Sequence, residues 1–180
     1  GEFEALAGEY RTRIGSVNAT TGTLNDWYPG PIESGNSDSY VYSILPTSDG
    51  SKIFIGGEFS HVNRLYRPDF VVVDSDGNLL DSVSDSNNGT VKSMSFNSDE
   101  SQLLVAGSFW NIAGVGATRA AIINMSDYSV ADWKPSISST INTAKFIGNT
   151  IFLAGEFITV DGSSCKSLAQ FNDYVPESEL

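Results

Sequence analysis

Residues 1–18, GEFEALAGEYRTRIGSVN, return as GEFSHVNRLYRPDFVVVD at 57–74, GSFWNIAGVGATRAAIIN at 107–124 and GEFITVDGSSCKSLAQFN at 155–172. Aligned without gaps, the third position is Phe3, Phe59, Phe109 and Phe157, and the sixth is Leu6, Val62, Ile112 and Val160. The eighth is Gly8, Arg64, Gly114 and Gly162, a loop position that takes glycine in all copies but the second. The eighteenth is Asn18, Asp74, Asn124 and Asn172. Positions held in one register through four copies mark an internal repeat, and a repeat governs the whole fold.

The register extends in both directions. Downstream lie Asp26-Trp27-Tyr28-Pro29 and Asp132-Trp133-Lys134-Pro135, with a degenerate counterpart at Ser82-Val83-Ser84-Asp85. Upstream, Val41, Val91 and Ile141 open alternating runs at a spacing of fifty residues, followed by Ser43, Ser93 and Thr143. Departures from that period fall in polar stretches, where an insertion leaves strands intact: residues 30–39 are an inserted loop, and the turn Ile147-Gly148-Asn149-Thr150 is a shortened one.

Each period predicts four short strands. In the third copy these are strand a at 90–96, strand b at 103–109, strand c at 119–123 and strand d at 130–133, apolar or alternating runs separated by polar turns. In the second copy the turns are Ser48-Asp49-Gly50 and Ser75-Asp76-Gly77, and Asp-Gly between apolar runs is a strong hairpin signal. No segment sustains a 3.6-residue period. The expectation is an all-β chain of four-stranded antiparallel units, and a repeat of this length and content is what a β-propeller blade looks like. One such sheet cannot cover both of its faces, so blades stack radially and bury Val, Ile, Leu and Phe between them, with the four motif phenylalanines filling the seam. Trp27 and Trp133 are expected to cover blade edges.

The predicted organisation is a partial blade at 1–29 (end of strand b, strands c and d), blades at 40–85 and 90–135, and a partial blade at 140–180 (strands a, b and c). About three and a half blades fall short of the four to eight that close a ring. The expected partners are therefore the rest of the same polypeptide, or neighbouring chains, completing the propeller.

Composition narrows the function. The 180 residues carry a formal charge of −12 and are 40% hydrophobic, enough for a core. That acidity argues against nucleic acid and anionic membrane surfaces, both of which need clustered Lys and Arg. No apolar run is long enough to span a bilayer, and no signal peptide opens the chain, so any leader is expected upstream. Cys165 is the sole cysteine, which excludes an internal disulfide, and it reads as a buried or half-buried strand residue.

Four sets of residues are candidate sites. His61, Arg64, Tyr66 and Arg67 form a compact basic and aromatic cluster in the loop where the other copies carry glycine, a place for a glycan or protein ligand; its alternative is surface packing of Arg on aromatic rings. Glu2, Glu58 and Glu156 recur beside the motif Phe, either as a ring of carboxylates for a cation or amine, or as acceptors for loop hydrogen bonds at blade junctions. Asp74, Asp76, Asn78 and Asp85 resemble a calcium loop, but its glycine is Gly77, at the fourth position and not the sixth, and Asp-Gly makes the turn without metal. Beyond that calcium reading no cofactor is expected. Asn18, Asn88 and Asn124 fit the N-glycosylation acceptor pattern of a secreted eukaryotic protein. With one His, one Cys and no Gly-x-Ser-x-Gly elbow, a catalytic triad cannot be assembled from these residues, and the chain is expected not to be an enzyme.

The pattern of an apolar pair, Gly-Glu/Ser-Phe, a short apolar-Gly loop, Arg or a neighbour, an apolar strand and Asn/Asp before a turn resembles the delta-sixty type of propeller repeat found in large secreted or surface proteins. It is similar to the ectodomain repeats of the fungal cortical polarity marker and, more distantly, to kelch and galactose-oxidase blades. The resemblance covers nearly the whole chain and implies an extracellular or cell-surface module that acts as scaffold, adhesion or assembly unit. A lectin or glycosidase-like propeller and a filament or tail-fibre component are the alternatives. The copper ligands of galactose oxidase have no counterpart, since His61 is the sole histidine and no Cys–Tyr pairing is evident.

Overall fold

A computed structural model describes residues 1–35, 38–80, 87–172 and 174, and every regular element among them is a β-strand. The chain divides into two compact units, Gly1–Asp85 and Ser86–Leu180.

The first unit contains β1 (Ala5–Leu6), β2 (Glu9–Tyr10), β3 (Ile32–Glu33), β4 (Tyr40–Pro46), β5 (Lys52–Glu58), β6 (His61–Val62), β7 (Leu65–Tyr66), β8 (Phe70–Asp74) and β9 (Leu79–Leu80). Strands β4-β5-β8-β9 form one four-stranded antiparallel sheet, the second copy's a-b-c-d. Its central strands are rich in β-branched and aromatic residues, which suit a pleated surface packed on both sides. The a-to-b turn closes on Asp49, whose carboxylate accepts hydrogen bonds from Thr47 Oγ1 at 2.6 Å, Ser51 N at 2.9 Å and Ser51 Oγ at 2.9 Å. Those bonds, led by the one from Thr47, hold its pKa down at about 2. Ile14, Ile32, Val41, Ile55, Phe59, Val62, Val71 and Val73 make the core of this unit, with Trp27 and Tyr28 packed against it.

The second unit contains β10 (Val91–Phe96), β11 (Gln102–Gly107), β12 (Asn111–Ile112), β13 (Val115–Gly116), β14 (Ala120–Asn124), β15 (Ile141–Ile147), β16 (Thr150–Gly155), β17 (Thr159–Val160), β18 (Ser163–Ser164) and β19 (Leu168–Phe171). Two three-stranded sheets, β10-β11-β14 and β15-β16-β19, are strands a-b-c of the third and fourth copies. The expected fourth strand of the third copy is reduced to one bridge, Ile123↔Val130. Asp127 accepts from Ser129 N and Asn124 N–H donates to Ser129 O, so the chain leaves β14 through a tight polar turn. Ala131 N–H then makes one ladder bond to Ile122 O before Asp132 to Pro135 turn away. Trp133 does cover an edge: its ring meets Phe171 edge-on at 5.2 Å and packs on the core of this unit.

The glycine that opens each motif has a steric reason. In all three complete sheets strand a slips register opposite it, between Val41 and Ser43, Val91 and Ser93, and Ile141 and Thr143. This bulge drives a carbonyl onto the glycine: a Cβ added at Gly57 would lie 2.0 Å from Tyr40 O, at Gly107 2.0 Å from Thr90 O, and at Gly155 2.2 Å from Thr140 O. Only glycine fits there.

The b-to-c crossing is built alike in all four copies. The position-1 glycine donates to the carbonyl at position 13 (Gly57 to Asp69, Gly107 to Arg119, Gly155 to Ser167, and the amino group of Gly1 to Arg13). Position 13 donates back to the motif Phe carbonyl at 2.9–3.0 Å, and position 11 to position 4 at 2.9–3.2 Å. Position 13 is left-handed throughout, at φ 68° in Arg13, 64° in Asp69, 74° in Arg119 and 65° in Ser167. Between these clamps, where the sequence pattern predicts a plain loop, sits a hairpin with two-residue strands: β1–β2, β6–β7, β12–β13 and β17–β18. Phe59, Phe109 and Phe157 beneath the crossings are 3%, 0% and 0% exposed, whereas Phe3 is only half-buried.

Candidate functional site

Within the first unit the stretch 30–39, expected as an inserted loop, carries β3, which pairs with β6 of the second hairpin as Ile32↔Val62 and Glu33↔His61. Two buried hydroxyls clamp Ile32: its N–H donates to Thr12 Oγ1 at 3.0 Å, and its carbonyl accepts from Ser39 Oγ at 3.2 Å. Above this floor opens a cleft of about 460 Å3 whose polar lining includes Glu4, Tyr10, Arg13, Glu33, His61 and Arg64.

Arg13, His61 and Arg64 come to the cleft from backbone already described. Arg13 is fixed by three of its N–H groups, Nε to Ser39 Oγ at 3.0 Å and Nη1 to the carbonyls of Glu2 at 2.7 Å and Phe3 at 3.0 Å, which leaves Nη2 to the cleft. His61 Nδ1 lies 2.7 Å from Ser60 Oγ, and its ring meets Tyr66 edge-on at 5.6 Å. Arg64 is exposed and makes no hydrogen bond or ion pair among the described residues. It occupies the second turn position of its hairpin at φ 66°, the left-handed region, where Gly8, Gly114 and Gly162 stand at 86°, 78° and 78°.

The proposed basic and aromatic cluster is thus divided. His61 and Arg64 line the cleft, Tyr66 backs His61 from the paired strand, and Arg67 folds onto its own hairpin, Nη1 donating to Tyr66 O at 2.9 Å. The sequence reading missed Glu4, Tyr10, Arg13 and Glu33, which come from the first copy and its linker. Pairing of β3 with β6 is a long-range event, and the one local hint was the Arg shared by positions 13 and 119.

The other candidates are placed as follows. Glu2, Glu58 and Glu156 are all exposed. Glu2 and Glu58 belong to the first unit, beside the stacked rings of Tyr40 and Tyr42, 5.7 Å apart. Asp38, then partial burial and Glu2, push the Tyr40 phenol up; burial, then Glu58, does the same for Tyr42. Asp74 directs its carboxylate into the c-to-d turn, accepting from Asp76 N at 2.9 Å, Asn78 N at 2.8 Å and Asn78 Nδ2 at 3.0 Å, and the bonds from Asn78 lower its pKa. Asp85 lies outside the described residues, among which no three His, Cys, Asp or Glu are grouped to hold a metal. Asn18 and Asn88 are exposed, but Asn124 is half-buried, donating to Ser129 Oγ and accepting from Gln102 Nε2. Cys165 is half-buried as expected but lies between β18 and β19, outside any strand, because the b-to-c crossing occupies that position.

Antiparallel a-b-c sheets repeated at fifty residues, the second copy's completed by strand d, with Phe59, Phe109 and Phe157 buried under a common crossing, define an all-β protein of the β-propeller class. Residues 15–174 match the Rax2 C-terminal beta propeller domain, and the chain belongs to that family, a fungal cortical marker family. No curated protein matches it. No helix among the described residues is long and apolar enough to cross a membrane.

Proposed function

We propose that this chain is a non-catalytic β-propeller scaffold, an adhesion or assembly module of a larger protein exposed at the cell surface. The observation that supports this most is the fourfold b-to-c crossing: its recurring backbone N–H and C=O groups go to blade construction. Position 1 bonds position 13, position 13 bonds position 3, and position 11 bonds position 4. Blade-to-blade joining uses side chains in the same way, as Ser93 Oγ donates to Ala144 O at 3.2 Å and accepts from Ala144 N at 3.0 Å. The finer likeness to delta-sixty and kelch repeats rests on the repeat pattern of the sequence, from the apolar pair and Gly-Glu/Ser-Phe to the Asn/Asp before the turn.

Partners on this reading are other blades, from the same polypeptide or a neighbouring chain. The fourth copy presents Ile147, Ile158 and Leu168 at 60%, 61% and 62% exposure, apolar side chains that such a blade would cover. Analytical ultracentrifugation of the 180-residue chain tests this. Self-association or a broad thermal transition is expected, with association abolished by Ile147→Lys plus Leu168→Lys. A sharp-melting monomer indifferent to those changes contradicts the assembly reading. Surface placement is checked by labelling an epitope inserted at exposed Gly22 on intact cells.

A further inference from the structure

We infer that the cleft between Tyr10, Arg13, Glu33, His61 and Arg64 binds an uncharged saccharide, a recognition function that goes beyond the scaffold reading. The first ground is Arg64 itself. In the other three hairpins glycine takes the second left-handed position, at φ 78° to 86°, and only the second copy forces a long side chain into it, at 66°. Backbone held in a disfavoured region at a surface turn signals a use for the side chain. That side chain has no partner among the described residues, although the chain carries 22 carboxylates.

The second ground is the chemistry around it. Arg13 and Arg64 offer donors, and Glu4 and Glu33 offer acceptors, so the cleft has both signs in balance. A phosphate or carboxylate would meet the two Glu, and an amine would meet the two Arg. A pair of neighbouring hydroxyls satisfies both, since each donates to a carboxylate while accepting from a guanidinium, and bonds to charged groups are about twice as strong as neutral ones. Tyr10, 62% exposed at the margin, supplies an aromatic face for the C–H side of a sugar ring. The third ground is rigidity: Thr12 and Ser39 lock Ile32 from both sides, and Ser39 also holds Arg13. A preformed cleft of about 460 Å3 falls in the range of small-ligand sites.

The test is a titration of the 180-residue chain, followed by NMR shifts, with neutral di- and trisaccharides of glucose, mannose and N-acetylglucosamine, a uronic-acid disaccharide, and inorganic phosphate. Saturable binding of at least one neutral saccharide is expected, nearly independent of salt, with shifts at Tyr10, Glu33 and His61. Arg64→Gly and Glu33→Gln should each weaken it at least tenfold. Arg64→Gly restores the residue of the sister hairpins, so its thermal midpoint should be unchanged or about 1–3 °C higher. Three results overturn the inference: no neutral saccharide saturates; only the uronate or phosphate binds, with steep salt dependence; or Arg64→Gly loses several degrees of stability along with binding, which makes Arg64 a support of its hairpin.

Discussion

In the hairpin of the second copy Asn63 and Arg64 take the two left-handed turn positions at φ 49° and 66°, where the third copy has Ala113 and Gly114 at 51° and 78°. Positive φ at both central residues is the type I′ turn that matches the twist of a two-residue hairpin. Both hairpins are tied to their blades by the same backbone bonds, Arg67 N to Ser60 O and Ala117 N to Trp110 O. Their surfaces then diverge. In the third copy Arg119 lies 4.2 Å over the Trp110 ring and donates to Phe109 O, so the cation is absorbed in rim packing. In the second, β3 pairs with the hairpin much as Asn88 bridges Asn111 in the third, but Arg64 is left without a partner among the described residues and lines a cleft. One backbone, held by main-chain bonds and glycine sterics, leaves its side chains free to diversify, which is how a site is grafted on a blade.

If main-chain geometry is what the two copies share, the largest effect belongs to the motif glycine. Gly107→Ala places a methyl 2.0 Å from Thr90 O, and chemical denaturation should show a loss on the order of 3–5 kcal/mol. Gly116→Ala, where an added Cβ meets nothing within 4 Å, should stay within about 0.5 kcal/mol. Equal effects would break the argument.

Next is the joint between copies. Ser93→Ala leaves the Ala144 N–H and C=O without their hydroxyl partner, at a cost of about 1–2 kcal/mol in the same assay. An unchanged denaturation midpoint would mean that the hydroxyl is idle. The hairpins are then compared directly: Gly114→Arg, which gives the third copy the second copy's residue, should destabilise by about 1 kcal/mol from left-handed strain. A neutral result would remove the strain argument for Arg64.

The smallest effect is electrostatic. The folded pKa of Asp49 is held at about 2, below the unfolded carboxylate value, so its contribution is present above about pH 4 and is lost as pH falls toward 2. Asp74, Asp99 and Asp127 are lowered by the same kind of turn bonds and act in the same direction. Thermal midpoints from pH 5 to 2 should fall less steeply for Asp49→Asn than for the parent, and superimposable curves would refute the linkage.

Much of the fold was legible in the chain because a repeat compares a sequence with itself. The fifty-residue spacing of Val41, Val91 and Ile141 located strand a in each complete sheet, and Asp49-Gly50 located its turn. Strand d was over-read: the pattern at 130–133 suggested a strand, yet only Val130 bridges, since Ser129 and Asp127 use local turn bonds. The site was half-legible. Arg64 stood out against glycine and Arg13 is matched by Arg119, but Tyr10 and Glu33 carry no local mark of sharing a cleft with them.

What the sequence by itself determined is the sheet: strand order, turns and the obligatory glycines, all set by steric and hydrogen-bonding demands within one copy. Tertiary structure alone decided which side chains meet. Pairing of β3 with β6 brings Glu33 opposite His61, and Arg13 Nε reaches Ser39 Oγ, 26 residues away in the chain. Such encounters depend on how the linker at 30–39 folds back on the copies it joins, and no short-range pattern encodes that.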